Sequence, residues 1–479
     1  MNAAFWVVVV AVAVRLVFAG ATGLGIDESY MVASAHSFDA SYFDHPLVSW
    51  WLELGARALA GGADPLVVRL PFVVLSAVSS GLVWLITVRL YGERAAFWAV
   101  VAYSISPVFS LAAGCWVLPD GPVDAALLGF AYCALRGLET PRWWIAAGLC
   151  AGLALLSKYN AALVLSGFAA GMLLSTPGRA ALRRPELWAG VALAVALASP
   201  IVVWNAAHHW ASFAYQGGRA TGLHLRPAMP FTIWGGEALF VLPWLWLPMV
   251  GLLMQALARG PREPKGWHLA CGAVLPVVLF AVVGLWSSTR ILYHWAAPGY
   301  LLLFPLLGDW ASRMWAGLRD AVTAVSAALL ASAALLLVAV CQLGLSDEIT
   351  QRFIPGASPL LQLVDWDSLA TQIPPGVDAV AALRWFDAGK IGYALRNVPV
   401  AVTVFGPEPH EFGISAPPAA LLGKTVLIVA MPGSVTQVGA QFAPDFRTLT
   451  PGPALTVMDH GQVLLVMPTF IGRDMVRVP

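Results

Sequence analysis

Eleven apolar runs divide most of this 479-residue chain, near residues 3–20, 66–89, 94–112, 121–136, 143–158, 160–174, 187–204, 231–256, 267–286, 296–311 and 321–345. A helix that crosses a bilayer needs about 20 mostly apolar residues, and runs repeated this densely specify a polytopic α-helical membrane protein. Composition agrees: 59% of residues are hydrophobic, only 11% are charged, and there are 21 tryptophans. The formal net charge of +1 decides little, because charge placement matters more than its sum in such a chain. The first run lacks a basic leader and a convincing small-residue cleavage site, so it reads as a retained helix rather than a signal peptide.

Charge placement sets sidedness. Arg89/Arg94, Arg136/Arg142, Arg179/Arg183/Arg184, Arg259/Arg262/Lys265 and Arg313/Arg319 fall on alternate loops, which the positive-inside bias places in the cytoplasm. The remaining loops, with Asp27, Glu28, Asp44, His45, Asp120, the 204–230 segment and Arg290, then face outward. Residues 1–345 form the membrane domain, with an outer loop at 21–64. From about residue 346, Pro and Gly separate short β-rich runs at 377–383, 398–405, 425–431 and 462–467, with helix-like sequence at 386–396. Eleven spans from an inside N-terminus put this tail, 346–479, outside as a small α/β domain. Cys115, Cys133, Cys150, Cys271 and Cys341 lie in or beside apolar runs without CxxC spacing and read as small buried hydrophobes.

In a chain this poor in charge, the outward polar residues mark the chemistry. Asp27 and Glu28 follow the first span, and Asp44-His45 lies in the same loop. Asp120 sits in Leu118-Pro119-Asp120-Gly121-Pro122, and Lys158 in Leu155-Leu156-Ser157-Lys158-Tyr159-Asn160 between two apolar runs. Asp27 also suits capping of an interfacial helix near Ser29, and Lys158 suits snorkelling at a helix end. Arg219 and Arg290 are outward cations that fit either lipid headgroups or a phosphate. Acids near a membrane core are expensive and have a job or a partner. Carboxylates with several cations suit group transfer from a phosphate carrier: an acid takes a proton from the attacking hydroxyl, and cations stabilise charge on the leaving phosphate. No Walker-type loop, GxSxG or HExxH motif is present.

The order Asp27-Glu28, Tyr42-Phe43-Asp44-His45-Pro46-Leu47, Pro119-Asp120-Gly121-Pro122, Leu156-Ser157-Lys158-Tyr159 and Trp204-Asn205-Ala206-Ala207-His208-His209 closely resembles bacterial family 39 glycosyltransferases of the GT-C class. Protein O-mannosyltransferases and lipid A aminoarabinose transferases are relatives there. The match runs over roughly residues 20–300, and His410-Glu411-Phe412 resembles the family's exported tail. The resemblance implies a polyprenyl-phosphate sugar donor, membrane lipids as surroundings, and transfer with inversion at the periplasmic face of the bacterial inner membrane. It implies catalytic acids at Asp27, Glu28 and Asp120, and donor-phosphate contacts from Lys158, with Arg290 and Arg219 as further cations. Tyr30, His45, Tyr159, Trp204 and Asn205 are the substrate-binding candidates. Some relatives bind a divalent metal at the position of Asp44, and His45 is the candidate second ligand. Here the sequence departs from the lipid A aminoarabinose transferases, which carry an acid-lysine pair at Asp44-His45 and a histidine near Gln216-Gly217-Gly218. The acceptor class stays open among glycolipid, polysaccharide and protein. The chain is expected to act as a monomer without nucleic acid. The competing expectation is a multi-span transporter or flippase of a lipid-linked substrate. Against it stand the acidic first loop, the exported tail and the lack of evident inverted repeats.

Overall fold

The computed structural model describes residues 3–222, 224–344, 359–432 and 435–479. Each of the eleven apolar runs contains helix, with ends displaced by a few residues where caps and prolines intervene, and the run expected at 296–311 is divided into two short helices, Ala297–Leu301 and Phe304–Arg313. The helices run in the order α1 (Ala3–Ala21), α2 (Ile26–Ser34), α3 (Val48–Ala60), α4 (Pro65–Tyr91), α5 (Glu93–Ile105), α6 (Asp120–Gly137) and α7 (Trp143–Ser157). There follow α8 (Ala161–Leu174), α9 (Thr176–Ala181), α10 (Pro185–Ala207), α11 (Ala211–Gly218), α12 (Met229–Val241), α13 (Pro243–Arg259) and α14 (Pro264–Gly284). The series closes with α15 (Ala297–Leu301), α16 (Phe304–Arg313) and α17 (Ala316–Leu343).

Among the described residues, five helices (α1, α4, α10, α14 and α17) are long and apolar enough to cross a bilayer. The run at 231–256, expected as one continuous span, is instead α12 and α13 bent by 115°. The cause is local. Leu242 takes φ 90° at the break and Pro243 starts the next helix, so the hydrogen-bond ladder cannot continue across them. A second interruption, the π-helical turn Val108–Ala112, ends the run at 94–112.

Two compact units emerge. The first comprises Met1–Val17, Asp39–Ser49 and Arg69–Ala333. Its core centres on buried Tyr103, Phe109 and Phe304, whose rings meet at 5.0–5.5 Å. Where helices cross closely, glycine is required: a Cβ on Gly148 of α7 would lie 2.1 Å from the Gly190 carbonyl of α10. Arg89 forms an ion pair with Glu139, joining two loops that the charge pattern assigns to one side.

The second unit comprises Phe18–Phe38, Trp50–Val68 and Ala334–Pro479. The expected domain boundary at 345/346 lies outside the described residues. Its five-stranded mixed sheet has the order β2-β1-β3-β5-β4, with β1 Ala379–Ala382, β2 Ala401–Val404, β3 Val426–Val429, β4 Phe446–Asp459 and β5 Gln462–Met475. The β1 strand pairs parallel with β2 and β3, while β5 runs antiparallel to β3 and β4. Strands β1 and β3 are buried along their whole length, as their unbroken apolar runs require. The expected α/β tail is therefore observed, with β4 added: its Thr-Pro-Gly-Pro centre conceals a strand whose register shifts at Gly452/Leu455. Helix α18 (Trp385–Ala394) covers the sheet and packs against α2.

Candidate active site

In the first unit, a proline-rich turn and a helix end face each other. Pro119 caps α6, so Asp120 occupies its first position, where the helix dipole favours an anion. Gly121 sits close enough to the carbonyl of Ala113 that a Cβ would approach it to 2.7 Å, which packs this turn on the chain leaving the π-turn. Lys158 is the C-cap of α7, with extended φ/ψ that break the apolar run and turn its side chain inward. The Lys158 ammonium donates to Asp120 Oδ1 at 2.9 Å, with both side chains buried. Lys158 therefore does not snorkel; it is half of a buried ion pair. One helical turn beyond Asp120, both carboxylate oxygens of Asp124 are buried with no hydrogen-bond partner.

A cavity of about 180 Å³ opens beside this pair. His45, Lys158, Tyr159, Asn160, Gln216 and Arg219 form its polar lining, and Leu279, Phe280 and Val283 of α14 supply an apolar wall. Arg219 is held flat between two rings, 4.4 Å from the Tyr215 centroid and 4.8 Å from that of Trp295. It donates to Gln216 Oε1 at 3.2 Å and to the Tyr215 hydroxyl at 2.8 Å. Gln216 in turn donates to the Asp44 carbonyl at 2.6 Å. Tyr159 shares a 2.7 Å hydrogen bond with Ser212, and Asn160 donates to the Trp295 carbonyl at 2.9 Å. The guanidinium and ammonium are thus preorganised by their neighbours.

Two imidazoles complete the cluster. Burial pushes His45 down to about 3, with Lys158 and Arg219 adding to the effect and Asp44 and Asp120 opposing it. Burial likewise pushes His294 down to about 4, opposed by Asp120 and reinforced by Lys158 and Arg219. Both rings are neutral near pH 7, and the positive charge of the site resides on Lys158 and Arg219. No third His, Cys, Asp or Glu side chain joins Asp44 and His45 in a ligand group among the described residues, and His45 Nδ1 is buried without a hydrogen-bond partner.

Other expected site residues lie elsewhere. Arg290 is exposed in the loop after α14 and does not line the cavity. Asn205 is buried with both amide ends occupied, donating to the Ile201 carbonyl and accepting from the Phe213 amide. Trp204 stacks on His208 at 4.1 Å. Asp124, His294 and Trp295 are site residues that the sequence reading does not reach, and Gln216 enters it only as a departure from a relative's histidine. Asp124 carried a usable signal, an acid within an apolar helix; His294 and Trp295 carried none.

The acidic turn belongs to the second unit. Helix α2 starts at Ile26 with Gly25 as its N-cap, so Asp27 is not the cap that a helix near Ser29 would give it. Glu28, at the third helical position, reaches back to accept from the Gly25 amide at 2.9 Å, a role that stabilises the helix start. Asp27 is exposed and Glu28 buried. Tyr30 is buried among Trp50, Trp385, His410 and Phe412, with ring centroids 5.0–6.0 Å away.

The fold is similar to that of solved membrane glycosyltransferases, in agreement with the resemblance carried by the sequence motifs. Residues 44–204 match the family model described as dolichyl-phosphate-mannose-protein mannosyltransferase. The crystal structure of ArnT from Cupriavidus metallidurans in the apo state superposes with a TM-score of 0.66 at 15% identity, covering 97% of each chain. The same protein bound to undecaprenyl phosphate gives 0.64 at 15% identity over 98% of each chain. Arabinofuranosyltransferase AftD from Mycobacteria gives 0.50 at 12% identity, covering 98% of this chain and 40% of that one. No curated protein matches the chain.

Proposed function

We propose that this protein is a membrane glycosyltransferase that moves a sugar from a polyprenyl-phosphate donor to an acceptor hydroxyl at the periplasmic face of the inner membrane. One observation carries the proposal: a single cavity joins two preorganised cations, the buried Lys158 and the half-buried Arg219, to the apolar wall of Leu279, Phe280 and Val283. An anionic headgroup on a long hydrocarbon needs both. The bound undecaprenyl phosphate of the Cupriavidus structure supports the same ligand class. In this reading Lys158 and Arg219 hold the donor phosphate, Asp120 fixes Lys158, and Tyr159 and His45 border the headgroup.

Transfer is a single displacement. The acceptor oxygen bonds to the anomeric carbon while the bond from that carbon to the phosphate oxygen breaks, which inverts configuration. Asp27 takes the hydroxyl proton, and the electron pair leaves on the phosphate, where the two cations stabilise it. Glu28 orders the turn that carries Asp27.

Asn in place of Asp27 keeps the shape of the side chain but cannot accept a proton. With the reconstituted protein, a polyprenyl-phosphate sugar and an acceptor, Asp27→Asn is expected to lower turnover by roughly 10²–10⁴-fold, the usual share of general acid–base catalysis, with donor affinity nearly unchanged. Near-normal turnover in Asp27→Asn would reassign the base. Flux of the lipid across vesicles without any covalent product would favour the transporter.

A further inference from the structure

We infer that the C-terminal part of the chain is the jig that holds the Asp27 turn in place, with Lys390 as its central positioning residue. The inference rests on the assignment of Asp27 as base and concerns the second unit alone.

Two anchors flank Asp27, one three residues before it and one three residues after. At the first, the Lys390 ammonium, 2% exposed, donates to the carbonyls of Leu24 at 2.8 Å, Val364 at 2.8 Å and Gln362 at 3.1 Å. The same leucine donates its amide to Asp365 Oδ1 at 3.1 Å. Leu24 is thus gripped at both its N–H and its C=O by residues more than 300 positions away in sequence. A Cβ on Gly23 would lie 2.5 Å from the Leu363 carbonyl, so the two backbones pass in direct contact. At the second anchor, the Glu411 amide donates to the Tyr30 hydroxyl at 2.8 Å, and the rings of Trp385, His410 and Phe412 enclose that of Tyr30. Gly389, next to Lys390, lies against the Tyr30 backbone; a Cβ there would come within 2.7 Å of Tyr30 Cα.

A buried ammonium bound to three carbonyls is expensive to desolvate, and a simple packing contact would use an apolar side chain instead. What lysine supplies is directionality: three donors fix three backbone points relative to one another. One of these points is the residue from which the Asp27 helix departs. A helix of nine residues that carries an exposed carboxylate gains from such anchors the tolerance that proton transfer demands.

Lys390→Met removes the donors at similar volume, and Gly389→Ala adds one methyl at the other anchor, so the two perturb the jig by unrelated means. Both are compared with wild type and Asp27→Asn as full-length protein in nanodiscs. Amide hydrogen exchange over residues 24–30 is expected to speed at least tenfold in each, while β1 and β3 stay protected. Turnover is expected to fall at least tenfold with the donor KM unchanged, and Lys390→Arg to recover part of the loss. Unchanged exchange at 24–30 in both variants overturns the inference. So does faster exchange with unaltered turnover, provided Asp27→Asn is inactive in the same assay. An active Asp27→Asn sinks the base assignment alone, because exchange at 24–30 still decides whether the tail holds the turn.

Discussion

The Lys158–Asp120 pair shows how a single contact sets the character of the cavity. Taking two charges out of water is repaid only when they meet well, and removing one partner strands the other. Lys158→Met is therefore expected to lower stability by roughly 3–5 kcal/mol, the usual cost of an unpaired buried charge, and to abolish donor binding. Adding Asp120→Asn removes the stranded anion. The double variant is expected to regain much of the thermal stability in detergent but none of the donor affinity, which separates the structural share of Lys158 from its phosphate contact. Recovery of donor binding together with stability would reduce Lys158 to a structural residue. The carboxylate of Asp120 and the ammonium of Lys158 were both legible as expensive groups in an apolar chain. Their pairing was not, because 38 residues and a helix reversal separate them.

At the scale of elements, α3 carries a buried acid. Glu53 is fully enclosed and pairs with Arg57 one turn later at 3.3 Å, while Arg57 also donates to the Val32 carbonyl. Burial raises Glu53 to about 8, and the attraction of Arg57 only partly opposes it. The folded state holds this proton between pH 4.5 and about 8, whereas the unfolded chain has released it. The stabilising contribution is thus complete below 4.5 and is lost as pH rises through 8. Thermal unfolding in detergent is expected to show wild type losing more stability than Glu53→Gln between pH 5.5 and 8.5; parallel curves would place the charge elsewhere. Helices α12 and α13 teach a different lesson. Their combined hydropathy reads as one span, and nothing in an average over residues reports that Leu242 adopts φ 90°. Strand β4 escaped for the opposite reason: Pro451, Gly452 and Pro453 look like a turn, yet β5 supplies a partner on which the strand is completed.

Over the whole molecule, the alternation of arginine-bearing loops is what sets the expected sidedness. The bend between α12 and α13 tests it. Treated as one crossing, the pair keeps the eleven expected spans and places Arg262 inside and Pro479 outside; treated as a re-entrant hairpin, it exchanges both to the other side. The basic loop Arg259/Arg262/Lys265 favours a crossing. In a cysteine-free background, Pro479→Cys is expected to react with an impermeant maleimide added outside spheroplasts, and Arg262→Cys only after permeabilisation. Reaction of Pro479→Cys only after permeabilisation would invert the placement of the tail and of the Asp27 loop.

Hydrophobicity is additive along a chain, so the sequence by itself determined where the apolar helices lie and which few polar residues were worth watching, and it set the expectation of a change of character near residue 346. Asp27, His45, Lys158 and Arg219 stood out because charge is rare among such neighbours. Contacts are not additive in this way. That Arg219 lies between Tyr215 and Trp295, that Asp124 stands unpaired beside Asp120, and that Lys390 grips Leu24 depend on which helix ends meet. Those meetings come from packing at glycine crossings, proline breaks and buried hydrogen bonds between distant segments. Only the tertiary structure decided them, because each joins residues whose local sequence carries no record of the partner.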